Sequence, residues 1–360
     1  MDTAALLSSL AHPGSLVYEP HPQGLAAARA AVAGYYAEIG VPVDPEALFL
    51  TTGTSEAYAM VFKLLADPDE EVLVPTPGYP LLDVLTRLEG VRLIPYPLSY
   101  CEPAGIAPGG WAIDLELLRA SISTRTRAVV VVSPNNPTGS YLKKAELDGL
   151  NVLCRDFGLA LVVDEVFSDY AGGPDPRRVR SAAGNAGALT FALNGFSKLV
   201  GLPQLKLGWI HVGGPAEPAG QARERLAYVT DAFLSVSAAV QHAAPAIFRL
   251  RASVQEQIQS RLEENRAALE VALSGIDSCR SLAREGGWYS VVRLPDAIPD
   301  EELAVDLLER DGVLAHPGYF YDFASGSWLV LSLLPPTVEF REGVSRIAAR
   351  LRASRLTGSR

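Results

Sequence analysis

The chain has 360 residues, 48% hydrophobic and 20% charged, a balance that supports a large buried core and excludes a disordered or fibrous chain. Its 31 basic and 41 acidic side chains leave a net charge of −10, so nucleic acid and anionic membranes are not expected partners. Three scattered cysteines, 101, 154 and 279, make neither a disulfide frame nor a zinc motif, and no run approaches the ~20 apolar residues of a spanning helix; no metal is expected, and a reducing cytoplasm is the expected compartment.

In chain order, residues 1–30 read as an N-terminal segment that packs on the small domain or a neighbouring subunit. Apolar runs of strand length then recur at 48–51, 71–74, 92–95, 128–132, 160–163, 189–193 and 207–212. Helical spacing fills the intervals at 55–65, 81–88, 115–121 and 144–157. Strands apolar on both faces belong to a parallel sheet covered by helices on each side, which predicts a large α/β domain over 31–235. From about Ala222 the pattern turns to long helical spacing, running through 251–273. A strand at 289–294, a helix at 300–310, strands near Val313 and at 329–333, and a closing helix at 338–351 follow, which predicts a smaller α+β domain over 236–360. The basic end, 346–360, reads as the solvated face and frayed end of that helix.

Three of the apolar strands end in polar motifs. Ser133-Pro134-Asn135-Asn136-Pro137-Thr138-Gly139 follows the first, Asp164-Glu165 the second, and Asn194-Gly195-Phe196-Ser197-Lys198 the third. Taken singly, these are a turn, a helix N-cap and a surface lysine. Taken together, they sit where open α/β sheets bind ligands, just beyond the carboxyl ends of the strands. Asp164 lies 28 residues after Asn136 and Lys198 lies 34 after Asp164.

In these motifs and their order the chain resembles the class I/II aminotransferases among the fold-type I pyridoxal-phosphate enzymes, from about Tyr18 to the last helix. The resemblance implies a mostly parallel central sheet sandwiched by helices, a smaller C-terminal α+β domain, and pyridoxal 5′-phosphate as cofactor. It implies that Lys198 carries the cofactor aldehyde as an internal aldimine and shuttles the substrate proton. Asp164 would then hold the pyridine nitrogen protonated, Asn136 would donate to the phenolic oxygen, and Tyr79, in Pro77-Gly78-Tyr79-Pro80, would stack on the ring. The strand-to-helix turn Thr52-Gly53-Thr54-Ser55 would offer backbone donors and a helix dipole to the phosphate, joined by Ser197 and by Lys206, eight residues after Lys198. Tyr18 would reach the neighbouring subunit's phosphate, which makes a homodimer with shared sites the expected assembly.

Two positions depart from the family pattern. Phe167 stands where a tyrosine usually donates to the phenolic oxygen. In Trp328-Leu329-Val330-Leu331-Ser332, Val330 stands where an arginine usually clamps the substrate carboxylate. Arg293 and Lys206 are weak candidates to replace that cation. The stretches Gly286-Gly287-Trp288-Tyr289 and His316-Pro317-Gly318-Tyr319-Phe320-Tyr321 are expected to line an aromatic pocket, with His316 structural. The leading expectation is transfer of an amino group from a small amino donor to an oxo acid, with an atypical substrate. The same scaffold also hosts lyases, decarboxylases and oxidases, and an inactive cofactor-binding relative ranks last.

Overall fold

The computed structural model describes residues 3–103, 109–234, 236–276 and 279–357, the side chains of the last four excepted. Two helices, α1 (Thr3–Leu10) and α2 (Ala26–Glu38), precede β1 (Leu48–Thr51), α3 (Thr54–Leu65), β2 (Glu71–Thr76), α4 (Leu81–Leu88), β3 (Arg92–Cys101) and β4 (Gly110–Ile113). The chain continues through α5 (Leu115–Ala120), β5 (Thr126–Val132), α6 (Lys144–Phe157), β6 (Ala160–Asp164), β7 (Thr190–Gly195), the single turn α7 (Phe196–Leu199) and β8 (Gly208–Gly213). The helices α8 (Ala216–Phe233) and α9 (Ala238–Leu273) lead to β9 (Arg280–Ser281), β10 (Tyr289–Leu294), α10 (Asp300–Asp311), β11 (His316–Pro317), β12 (Ser327–Ser332) and α11 (Thr337–Thr357).

Eight strands form one sheet in the order β1-β8-β7-β6-β5-β2-β3-β4, parallel from β7 to β3 and antiparallel at both edges. The unbroken apolar runs of β5 and β6 follow from burial on both faces. Val129, Val131, Leu161 and Val163 point to α5 and α6, meeting Leu118, Leu150 and Leu153, while Ala128, Val130, Ala160 and Val162 point to α3 and α8, meeting Val61, Phe62 and Leu226.

The second sheet, β11-β12-β10-β9, is antiparallel throughout. Here alternation separates the faces. Val292, Leu294, Leu329 and Leu331 pack on α9, α10 and α11, whereas Val291, Trp328 and Val330 turn toward the large sheet.

The α/β class and mostly parallel sheet are those expected, with differences at particular elements. β3 runs on to Cys101, because it gains β4 as an antiparallel partner. The change of pattern near Ala222 falls inside α8, and the expected helix at 251–273 is the second half of a 36-residue α9. Val313 closes α10 rather than opening a strand: Gly312, at φ 64°, ends the helix, and the Val313 N–H donates to the Leu307 carbonyl. The strand lies three residues later. Of the expected basic end, 358–360 lie outside the described residues.

Candidate active site

The carboxyl ends of three adjacent strands meet in register: Val132 pairs with Asp164, and Asp164 with Leu193. Chain direction therefore delivers the loop after β5, the end of β6 and the turn after β7 to one place. A cavity of about 260 Å³ opens there, and Thr54, Ser55, Tyr79, Asn136, Asp164, Ser197, Lys198 and Tyr289 are among its lining.

Asn136 is held by a loop that braces itself. The Asn135 side-chain carbonyl accepts from the Thr138 amide at 3.2 Å and hydroxyl at 2.9 Å, and the Asn135 amide donates to Ser140 at 2.8 Å. Asn136 lines the cavity with its Oδ1 buried and unpaired among the described residues and its Nδ2 bonded to none of them, which leaves that nitrogen as an unspent donor.

Asp164 accepts from the Val166 amide and from the Tyr58 hydroxyl, each at 3.0 Å. Burial nevertheless pushes its carboxyl up to about 6, against the lowering effect of those two donors and of Lys198. A buried carboxylate so short of positive charge is suited to a cationic ligand group.

Lys198 sits in the one-turn α7. Its carbonyl accepts from the Tyr170 hydroxyl at 2.6 Å, and the next carbonyl, Leu199, accepts from Gln255 at 2.9 Å. The ammonium forms no hydrogen bond or ion pair with a described residue. It lies 5.1 Å from the Trp288 ring centre and 5.6 Å from that of Phe167. Burial lowers its pKa, opposed by Asp164, which favours the neutral nucleophilic amine.

The turn into α3 approaches β8 closely: a Cβ on Gly208 would lie 2.8 Å from the Gly53 Cα. Gly53 itself takes φ 142°, open to glycine and strained for other residues. The leading amides of α3 have no helical acceptor, and Thr54 and Ser55 line the cavity beside Ser197. Lys206 is exposed, two residues before Gly208, and Tyr18 is 80% exposed; neither lines the cavity. This donor set fits the expected cofactor: an amine, a buried carboxylate, a free amide and a helix N-terminus surround one space.

The opposite wall is of different character. Of the small sheet, Tyr289 is the residue among the described cavity lining; Val330 lies behind it, 2% exposed and packed with Val291, Trp328 and Tyr321. Arg293 ion-pairs with Asp296 at 2.7 Å and stacks over Trp328 at 4.6 Å, so it is engaged elsewhere. Lys198 is the only lysine or arginine among the described cavity-lining residues. Phe167 packs edge-on against Trp288 and Tyr289. Of the expected aromatic loops, Tyr289 lines the cavity and Trp288 covers the ammonium, while Tyr319 and Phe320 stay exposed.

Sequence reasoning missed Tyr58 and Tyr170. Tyr58 carried one usable signal, a phenol four residues into a helix opening at a candidate anion site. Tyr170 carried none, since its bond is to a backbone carbonyl.

The family model for aminotransferase class I and II matches residues 5–347. The alanine aminotransferase of Mycobacterium tuberculosis is 29% identical over 333 residues, spanning 90% of this chain and 76% of that protein. The glutamate-pyruvate aminotransferase of Escherichia coli is 26% identical, spanning 91% and 80%. The solved N-succinyldiaminopimelate aminotransferase of Mycobacterium tuberculosis superimposes with a TM-score of 0.80 at 26% identity, covering 96% of this chain and 88% of that one.

Proposed function

The chain belongs to the class I and II aminotransferases, and from that premise we propose that it moves an amino group between small molecules with Lys198 as anchoring amine and proton carrier. The observation that carries this reading is the convergence of Lys198, Asp164 and Asn136 on one cavity from three adjacent strand ends. Pyridoxal 5′-phosphate, when bound, supplies an electron-withdrawing ring that stabilises negative charge developing on the substrate. Asp164 would hold its ring nitrogen protonated, Asn136 would donate to its phenolic oxygen, and Tyr79 would contact the ring. Gly53, Thr54, Ser55, Ser197 and Lys206 would receive the phosphate, with Tyr18 serving a second copy of the chain in a homodimer. Lys198 would take the proton from the substrate carbon and give it up again in a 1,3 transfer, two bonds away, which its lowered basicity suits. The 31–235 and 236–360 domains form part of this reading, the first supplying the cofactor groups and the second the substrate wall.

The substrate is the atypical part. A carboxylate facing Val330 would lose hydration without gaining a charged fork. The wall of Tyr79, Tyr289 and Trp288 favours donors with a sizeable apolar or planar body. Borohydride reduction of the holoenzyme, followed by peptide mapping, tests the core of the reading: the pyridoxyl label is expected on Lys198. A label on Lys63, Lys143, Lys144 or Lys206 instead would end it.

A further inference from the structure

The ladder β11-β12-β10 sets three residues in one row, because His316 pairs with Val330 and Val330 with Val291. Directly paired residues of an antiparallel ladder share a face, as do residues two apart along a strand. His316 therefore lies on the same sheet face as Tyr289, the one residue of this sheet among the described cavity lining, and directly beside the position that lacks an arginine; His316 and Val330 stand behind Tyr289 rather than in the lining itself.

The half-buried His316 ring is held in a defined orientation. Its Nδ1 is 3.1 Å from the Tyr321 hydroxyl, and it packs against Phe320 with ring centres 5.6 Å apart. Tyr321 is buried, and its carbonyl accepts from the Gly78 amide at 3.0 Å, tying the pair to the loop that carries Tyr79. The 3.1 Å contact fits either direction; the lack of another acceptor for the Tyr321 hydroxyl among the described residues assigns it as the donor to Nδ1. The ring proton then sits on Nε2, and Nε2 has no partner among the described residues. A phenol that fixes one ring nitrogen leaves the other as an oriented, unspent donor.

We propose that His316 recognises the substrate carboxylate, its Nε2–H standing in for the absent arginine. The inference rests on the aminotransferase reading and adds the group that reads the acid end. Transamination seats two substrates in turn in one cavity, and a contact with the feature they share serves both halves of the cycle. One hydrogen bond from an imidazole is weaker than a bidentate charged fork, in keeping with Val330 as a site where tight carboxylate binding has been given up.

The test uses cofactor-loaded enzyme converted to its amino form with phenethylamine. Its return reaction is then followed spectroscopically with pyruvate and with acetaldehyde, which differ by the carboxylate alone. The readout is the ratio of their second-order rate constants. In His316→Phe the ratio is expected to fall roughly fivefold, as for loss of one hydrogen bond. His316→Gln, which keeps an N–H donor, should hold the ratio within about twofold of wild type. Val330→Arg added to His316→Phe should raise it again; thermal melts identify variants that fail to fold, and Tyr321→Phe, which frees the imidazole, should lower it as a second route. An unchanged ratio in His316→Phe, or an equal fall in His316→Gln, overturns the assignment. No return reaction with either carbonyl compound in wild type would overturn this proposal alone; failure of every amino donor to bring the cofactor to its amino form would count against the aminotransferase reading instead.

Discussion

At the carboxyl ends of β5, β6 and β7 the cavity is polar and closely braced. The small sheet meets it with Tyr289, backed by a buried valine row, Val291 and Val330, with His316 and Tyr321 beside them. On the first side each chemical group is held by neighbours: Asn136 by its loop, Asp164 by Tyr58 and Val166, the Lys198 carbonyl by Tyr170. On the second side Arg293 is engaged with Asp296 and Trp328, and Arg280, its ladder partner on the same face, with Glu102. The contrast teaches that the two tasks are physically separable. Holding a charged ring demands fixed charges at fixed strand ends, whereas selecting a substrate depends on a face whose side chains can change without disturbing the strands beneath.

The largest expected effect breaks the polar side. Asp164→Asn keeps the shape and removes the charge, and kcat/KM should fall roughly a thousandfold. The same variant should make the apoprotein more stable. A carboxyl held at about 6 rather than near 3.8 binds protons more tightly folded than unfolded, so its contribution is complete below pH 4, is lost between pH 4 and 6, and leaves a constant penalty above. Denaturant melts at pH 7 should favour Asp164→Asn by on the order of 2 kcal/mol, and the two proteins should converge below pH 4. A destabilised Asp164→Asn apoprotein would contradict the burial argument.

A comparison of donors probes the opposite wall. An arginine clamp making two charged hydrogen bonds corresponds to roughly a hundredfold preference for an amino acid over the amine that lacks its carboxylate. Here the preference should stay below about tenfold, measured as donor half-reaction rates for alanine and aspartate against their matching amines. Fast, strongly carboxylate-dependent turnover of alanine would show that the wall holds a cation after all.

Tyr58→Phe returns to the polar side with a smaller change. Losing one hydrogen bond to the ionised carboxyl should move the acid limb of the kcat/KM profile to higher pH by about one pH unit. A limb that stays in place would remove Tyr58 from the control of Asp164. The smallest effect is expected from Phe167→Tyr, at the seam between the two sides. Its new hydroxyl should shift the visible-absorption titration of the holoenzyme to lower pH, by less than about one pH unit. A midpoint equal to or above that of wild type would count against the donor argument.

That Asn136, Asp164 and Lys198 meet was legible in the sequence because each stands within five residues of the end of an apolar run, and because the order of the three motifs carries the family resemblance. Tyr58 and Tyr170 were not, since each acts across more than 25 residues of chain through a contact that only folding creates. β4 escaped notice for a related reason: it is four residues long and is stabilised by pairing with β3 rather than by its own pattern.

His316 shows the same limit most directly. In the sequence it is a lone histidine before Pro-Gly, and packing was the expected role. Only the register of β11 against β12 sets it beside Val330, and only Tyr321 turns its free nitrogen into a donor. The succession of strands and helices along the chain, the family motifs and the missing arginine are properties of the chain read one residue at a time, because apolar periodicity and residue type act locally. Which side chains fill the place of that arginine is decided by cross-strand pairing and burial, which join residues that local pattern cannot relate.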